Sequence, residues 1–258
     1  MKLVNGILIA ATLTSSMITT GFEKVDLSTQ KSTYNVKDDV DLIISQDTLL
    51  KFEQLRQEKV DEIREFEILK ATAAKEKVEE VKRQAAIEIK KQEFNRFVEV
   101  VKYNDVTQID LRKPSGLSAE LADEILKGTG LEGLGKSFVG AEDKFGVNAY
   151  YLMAHAAWES QWGKSNLARK KNNLFGYQAY DANPYHDARA FKTKDESIYI
   201  VAKYVSVHYL QSNGDHYNGP TLVGMNVKYA TDKAWAEGIG SIMNKFIDKS
   251  VHLKEVQI

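Results

Sequence analysis

The feature that most constrains this chain is an uncharged stretch that ends in a carboxylate. From Ala149 to Trp158 the sequence reads Ala-Tyr-Tyr-Leu-Met-Ala-His-Ala-Ala-Trp, with no Asp, Glu, Lys or Arg. Apolar residues all round a helical turn, rather than on one stripe, mark a helix enclosed by protein. Asn148 supplies a side-chain oxygen to cap it. The rest of a domain must therefore wrap around this segment. Glu159 stands at its C-terminal end between Trp158 and Trp162, with His155 one turn back on the same face. Low dielectric and the negative end of the helix dipole both disfavour a charge there. They predict a raised pKa, the condition for a carboxylic acid that donates a proton near neutrality. Spacing alone leaves a second reading open, in which Glu159 is the first solvated residue past a buried helix.

The residues that follow narrow the choice. Gly163 suits the position after a helix end, Ser165 caps a short helix through Lys171, and Asn172-Asn173-Leu174-Phe175-Gly176 is a polar turn closing on apolar residues. With these in place the segment resembles the catalytic stretch of the bacterial glucosaminidase domain, family 73 of the glycoside hydrolases. The shared pattern is a helix ending Ala-x-x-Glu-[Ser/Thr]-x-x-Gly-x-Ser, followed by Asn-Asn-Leu-Phe-Gly. Two more matches are the Lys113-Pro-Ser-Gly-Leu117 turn and Tyr229-Ala-Thr-Asp232.

The resemblance implies a mainly α, α+β lysozyme-like fold: a compact helical catalytic domain with a small irregular β/loop lobe. It also implies an endo-β-N-acetylglucosaminidase acting on the glycan strands of peptidoglycan. Glu159 takes the role of general acid and Tyr229 lines the active site. Glu196 is the first candidate for a second carboxylate, although Thr193 to Glu196 also reads as a capping box that gives this residue a structural role. Trp158, Trp162, Phe175, Tyr177 and Tyr180 are candidate sugar-stacking rings, against the alternative that such rings only cover the core edge. Asn173 is a candidate for positioning the sugar. Two rival functions stay open: a lytic transglycosylase of the same fold, and a wall-binding or virion module without activity.

Composition excludes other classes. The 258 residues carry a net charge of -1 and no basic tail, which gives no argument for nucleic acid. Cysteine is absent, which removes a disulfide framework, a thiolate zinc site and a cysteine nucleophile. The five histidines form no His-Glu-x-x-His pair, so neither metal nor cofactor is expected.

The remaining chain divides by composition. Residues 1–22 are uncharged after Lys2 and read as a signal peptide or membrane anchor, which predicts export towards the cell wall, or attachment to a membrane or virion. Residues 23–46 read as a linker. Residues 47–102 contain neither Gly nor Pro and predict a charged helix of roughly 80 Å, held by pairs such as Glu79 with Arg83. Its apolar seam fails at Arg64, Glu67 and Glu88, which argues for a spacer rather than a coiled coil. Residues 106–258 form the expected catalytic domain. Its helices should run over Ala119–Lys127 and Lys136–Phe145, from Thr193, and from Asp232 through Ile247.

Overall fold

The computed structural model describes residues 45–178, 187–232 and 234–256, and the expected signal or anchor and most of the linker lie outside them. The chain divides into two units between Glu65 and Phe66. Helix α1 (Gln46–Lys102) contributes to both. Its part in the first unit is exposed throughout, with local ion pairs such as Lys51–Asp47 at 2.8 Å. In the second unit Glu79 pairs with Lys82 and Glu80 with Arg83, both at i,i+3, so the expected Glu79–Arg83 pair does not form. Exposed pairs of this kind each contribute little.

The second unit is built around helix α4 (Ala149–Glu159), in which every residue from Ala149 to Ala157 is buried. Around it stand α2 (Ala119–Leu126), α3 (Gly135–Phe145), the short α5 (Asn166–Lys171), α6 (Lys194–Val205), α7 (Leu222–Tyr229) and α8 (Trp235–Val256). Helix α4 packs chiefly on α8, and also on α3, while α3 also meets α2 and α6. Side-chain caps stand at the starts of α2, α4, α5 and α6. Asn148, Ser118, Ser165 and Thr193 accept from the backbone N–H groups of Tyr151, Leu121, Ala168 and Glu196, and Gly146 closes α3 at φ +64°. Helix α7 has no counterpart in the sequence reading. The last helix begins at Trp235 rather than Asp232, whose carboxylate instead accepts from Ala234 N–H at 2.9 Å.

The described residues are mainly helical, as the expected fold class requires, and two findings add to it. First, the core reaches back past Val106 into α1. Phe94 and Phe97 are 4% and 3% exposed, and the Phe97 ring stacks on Tyr150 at 5.4 Å. The Lys254 ammonium lies 3.3 Å from the Phe94 ring centroid. Gly116, at φ +67°, lets the chain pass so close to α1 that a Cβ there would sit 2.0 Å from Phe94 N. Second, there is no strand among the described residues. In the irregular lobe the described residues make isolated backbone bonds, Phe191 N–H to Lys171 C=O and Arg189 N–H to Tyr177 C=O, and the side chains of Asn172, Asn173 and Lys171 donate to the carbonyls of Phe191, Arg189 and Ala188. Residues 179–186 of that lobe lie outside the described residues. Among the described residues no helix is long and apolar enough to cross a membrane.

A second carboxylate holds the start of α4. Glu142, 5% exposed, accepts from Ser115 N–H, Ser115 O–H and Ala149 N–H at 2.8, 2.8 and 2.9 Å. Burial pushes the Glu142 carboxyl above its usual range and these donors oppose the shift, so it is by hydrogen bonds that Glu142 ties down the start of the helix that carries Glu159 at its other end.

Candidate active site

Helix α4 delivers Glu159 as its last residue because the chain cannot continue as a helix. Trp162 N–H bonds back to Ala157 C=O at 2.8 Å, and Gln161, Trp162 and Gly163 all adopt positive φ, of 51°, 58° and 77°. Two successive non-glycine residues in that region are strained. They persist because Gly130 N–H bonds Trp162 C=O at 2.9 Å, a contact so close that a Cβ on Gly130 would lie 2.7 Å from that oxygen.

Glu159 opens into a cleft of about 600 Å³ whose walls include Phe175, Gly176, Tyr177, Tyr204, Tyr209 and Tyr229. Larger grooves of about 740 and 730 Å³ exist elsewhere, but their walls do not include Glu159. The Glu159 side chain is 26% exposed, and its Oε1 accepts from the indole Nε1–H of Trp235 at 2.9 Å. Burial pushes its carboxyl above the usual range, and the Trp235 bond opposes this in part. His155 Nε2 lies 3.7 Å from the same oxygen. Burial holds the His155 ring down to about 3, so the ring is neutral and the contact is dipolar, not an ion pair. Burial also raises the phenols of Tyr151 and Tyr229 well above their usual value, and pushes Tyr209 up to about 12. The site thus combines a carboxyl whose protonated form is favoured by burial with neutral polar rings. It can give a proton to a bound oxygen and stack flat faces against a ring.

The structure sorts the predicted residues. Glu159, Phe175, Tyr177 and Tyr229 share the cleft wall. Phe175 is 3% exposed and lies edge-on to His155 at 5.1 Å, so it supports the site from beneath. Trp158 and Trp162 do not line the cleft. Adjacent helical positions are turned about 100° from one another, and Trp158 lies over Gly238 of α8, where a Cβ would be 2.3 Å from the indole. Trp162 packs edge-on against Phe246 at 5.7 Å. Asn173 is fully buried and occupied by backbone. Its amide donates to Tyr177 C=O and Arg189 C=O, and its carbonyl accepts from Phe175 and Tyr177 N–H. It shapes the loop that presents Tyr177 and does not face the cleft. Glu196 is bound at the start of α6, accepting from Lys192 N–H at 2.7 Å, and it does not line the Glu159 cleft. Tyr180 lies outside the described residues.

Three residues of the site escape a reading of the sequence. Trp235 is 76 positions from Glu159, and the only signal is that a buried indole N–H needs an acceptor. Tyr204 and Tyr209 are five apart, a spacing that points away from a common face in an α-helix. A π-helical turn over Ser206–Leu210 brings both to the cleft.

The chain belongs to the glucosaminidase family: the family model described as mannosyl-glycoprotein endo-β-N-acetylglucosaminidase matches residues 135–248. A candidate endo-β-N-acetylglucosaminidase of Streptococcus pneumoniae is 39% identical over 145 residues, 54% of this chain and 22% of that protein. The bifunctional autolysin of Staphylococcus epidermidis is 30% identical over 166 residues, 54% of this chain and 12% of that protein. The chain therefore spans about a fifth or less of the length of these curated relatives. Autolysin E of S. aureus, solved with the muropeptide NAM-L-Ala-D-iGlu, is 30% identical with a TM-score of 0.49, covering 57% of this chain and 73% of that one.

Proposed function

We propose that this chain hydrolyses the glycan strand of peptidoglycan as an endo-β-N-acetylglucosaminidase, with Glu159 as the general acid. The observation that carries the proposal is a half-buried carboxyl, raised by burial and held by Trp235, in a cleft walled by tyrosines. Glu159 protonates the glycosidic oxygen as the bond to the anomeric carbon breaks, and the tyrosine faces hold the sugars. The family description names a mannosyl-glycoprotein, whereas the staphylococcal relative is an autolysin, and the latter favours wall glycan as substrate. Such a substrate lies outside the membrane, so the activity requires export, for which the uncharged segment from Leu3 to Phe22 behind Lys2 is the candidate signal or anchor.

Mass spectrometry of purified peptidoglycan digested with the full chain tests this. The expected products end in reducing N-acetylglucosamine. Anhydromuramic ends would make the chain a lytic transglycosylase, and binding without release would make it an inactive wall-binding module.

A further inference from the structure

Among the described residues, the buried side-chain polar atom without a hydrogen-bond partner is His155 Nε2. The ring is fully buried, in a box formed by Tyr151, Phe175, Tyr229 and Trp235 with centroids 4.9 to 5.4 Å away. Buried polar atoms are nearly always paired, so an unpaired one calls for a reason. The polar atom it faces is Glu159 Oε1, at 3.7 Å.

The other ring nitrogen fixes which proton His155 carries. Nδ1 lies 3.0 Å from the Tyr151 hydroxyl, and Tyr151 is itself fully buried. If Nδ1–H donated to the tyrosine oxygen, the tyrosine O–H would have no acceptor among the described residues. With Tyr151 donating to Nδ1, the hydroxyl is satisfied and Nε2 bears the hydrogen, directed at Oε1. Oε1 then faces two N–H donors, Nε2–H and Trp235 Nε1–H. A proton on Oε1 would oppose both of them. The transferable proton therefore belongs on Oε2, the oxygen 4.0 Å from where a Cβ of Gly176 in the cleft wall would stand.

We propose that His155 is a positioning residue for Glu159: its Nε2–H, oriented by the Tyr151 hydroxyl, closes on Oε1 as the carboxyl gives up its proton from Oε2. The proposal rests on Glu159 being the acid. A separation of 3.7 Å is longer than a hydrogen bond, and the contact strengthens once the oxygen is charged. The ring is enclosed on four sides and cannot turn away. His155 remains neutral throughout and stabilises the product carboxylate as a fixed dipole.

The titratable groups that face Glu159 are His155 and Tyr151 on its own helix, Tyr177 from the loop after Gly176, Tyr204 and Tyr209 from α6 and the π turn, and Tyr229 from α7. The phenols of Tyr151, Tyr209 and Tyr229 are held up by burial and stay uncharged near neutrality. A change in the titration of Glu159 on substituting His155 thus reports the histidine itself.

The test is a carboxyl ¹³C NMR titration of Glu159 in the full chain, assigned by its loss in Glu159→Gln, beside the pH dependence of kcat. Tyr151→Phe with His155→Phe removes the device without leaving an orphan hydroxyl. It should raise the Glu159 midpoint by about one pH unit, move the alkaline limb of kcat up by the same amount, lower kcat about tenfold and leave KM unchanged. Tyr151→Phe alone removes one oxygen atom and frees the ring tautomer, so the midpoint should move less, in the same direction. His155→Gln keeps a donor and should recover part of the shift. An unchanged or lowered midpoint in the folded variants would show that His155 only fills space. That failure is distinct from failure of the acid assignment, which would appear as wild-type cleavage by Glu159→Gln whatever the NMR midpoints.

Discussion

At the scale of the residue, Glu159 is where folding and chemistry conflict. Burial raises its pKa above the ordinary 4.5, so the folded state binds more protons than the unfolded chain between that value and the raised one. Stability must then fall as pH rises through this window, and the deficit persists above it. Glu159→Gln does not titrate and still accepts from Trp235. Its stability relative to wild type should therefore increase as pH rises from about 4.5, read as the urea midpoint across a pH series. A constant difference would mean that the carboxyl is not raised. Glu196 makes the opposite case. Its carboxylate accepts Lys192 N–H while Thr193 caps Glu196 N–H, so Glu196→Gln should leave kcat unchanged within about twofold and stability within about 0.5 kcal/mol. A hundredfold loss of kcat with an unchanged melting temperature would restore it as a catalytic base. The buried setting of Glu159 was legible locally, from its uncharged helix, whereas Glu196 was a candidate second carboxylate and only its capping-box spacing pointed to the bond it makes with Lys192 N–H. The Trp235 partner was not legible, because it comes from a helix that begins 76 positions further along the chain.

At the scale of the element, the turn from Asn172 to Gly176 links the helix end to the cleft wall. Asn173 holds it by four bonds to backbone, each contributing about 0.5–1.5 kcal/mol net. Asn173→Ala should destabilise the chain by roughly 2–4 kcal/mol and raise KM by releasing Tyr177, measured by thermal denaturation and by initial rates. An increase in KM without loss of stability would instead place Asn173 on the substrate. Helices with side-chain caps, such as those starting after Asn148, Ser118, Ser165 and Thr193, could be read from the sequence because the cap and the helix are neighbours in the chain. The π turn over Ser206–Leu210 and helix α7 could not. The first depends on an i to i+5 closure that no short pattern announces, and the second lies beyond a stretch of Gly, Asn and Pro that reads as loop.

At the scale of the whole molecule, α1 has two characters that composition does not separate. Phe52 and Phe66 are 65% and 67% exposed, whereas Phe94 and Phe97 are core, and each sits in the same charged, Gly-free helical sequence. The change of composition at Tyr103 marks the end of the helix, not the edge of the core. Residues 66–258 should therefore fold with the melting temperature of the same region in the full chain. Residues 103–258 lack both phenylalanines and should be destabilised by several kcal/mol, since removing even one buried Phe side chain costs about 3–5 kcal/mol. Equal melting temperatures for the two fragments would show that α1 only rests on the core. The activity itself is tested most directly on the full chain, by the rate of peptidoglycan cleavage for wild type beside Glu159→Gln with both proteins shown to be folded. The account predicts loss of roughly 100-fold or more in the variant, because Gln cannot deliver a proton to the glycosidic oxygen. A folded Glu159→Gln protein that cleaves at the wild-type rate would contradict it.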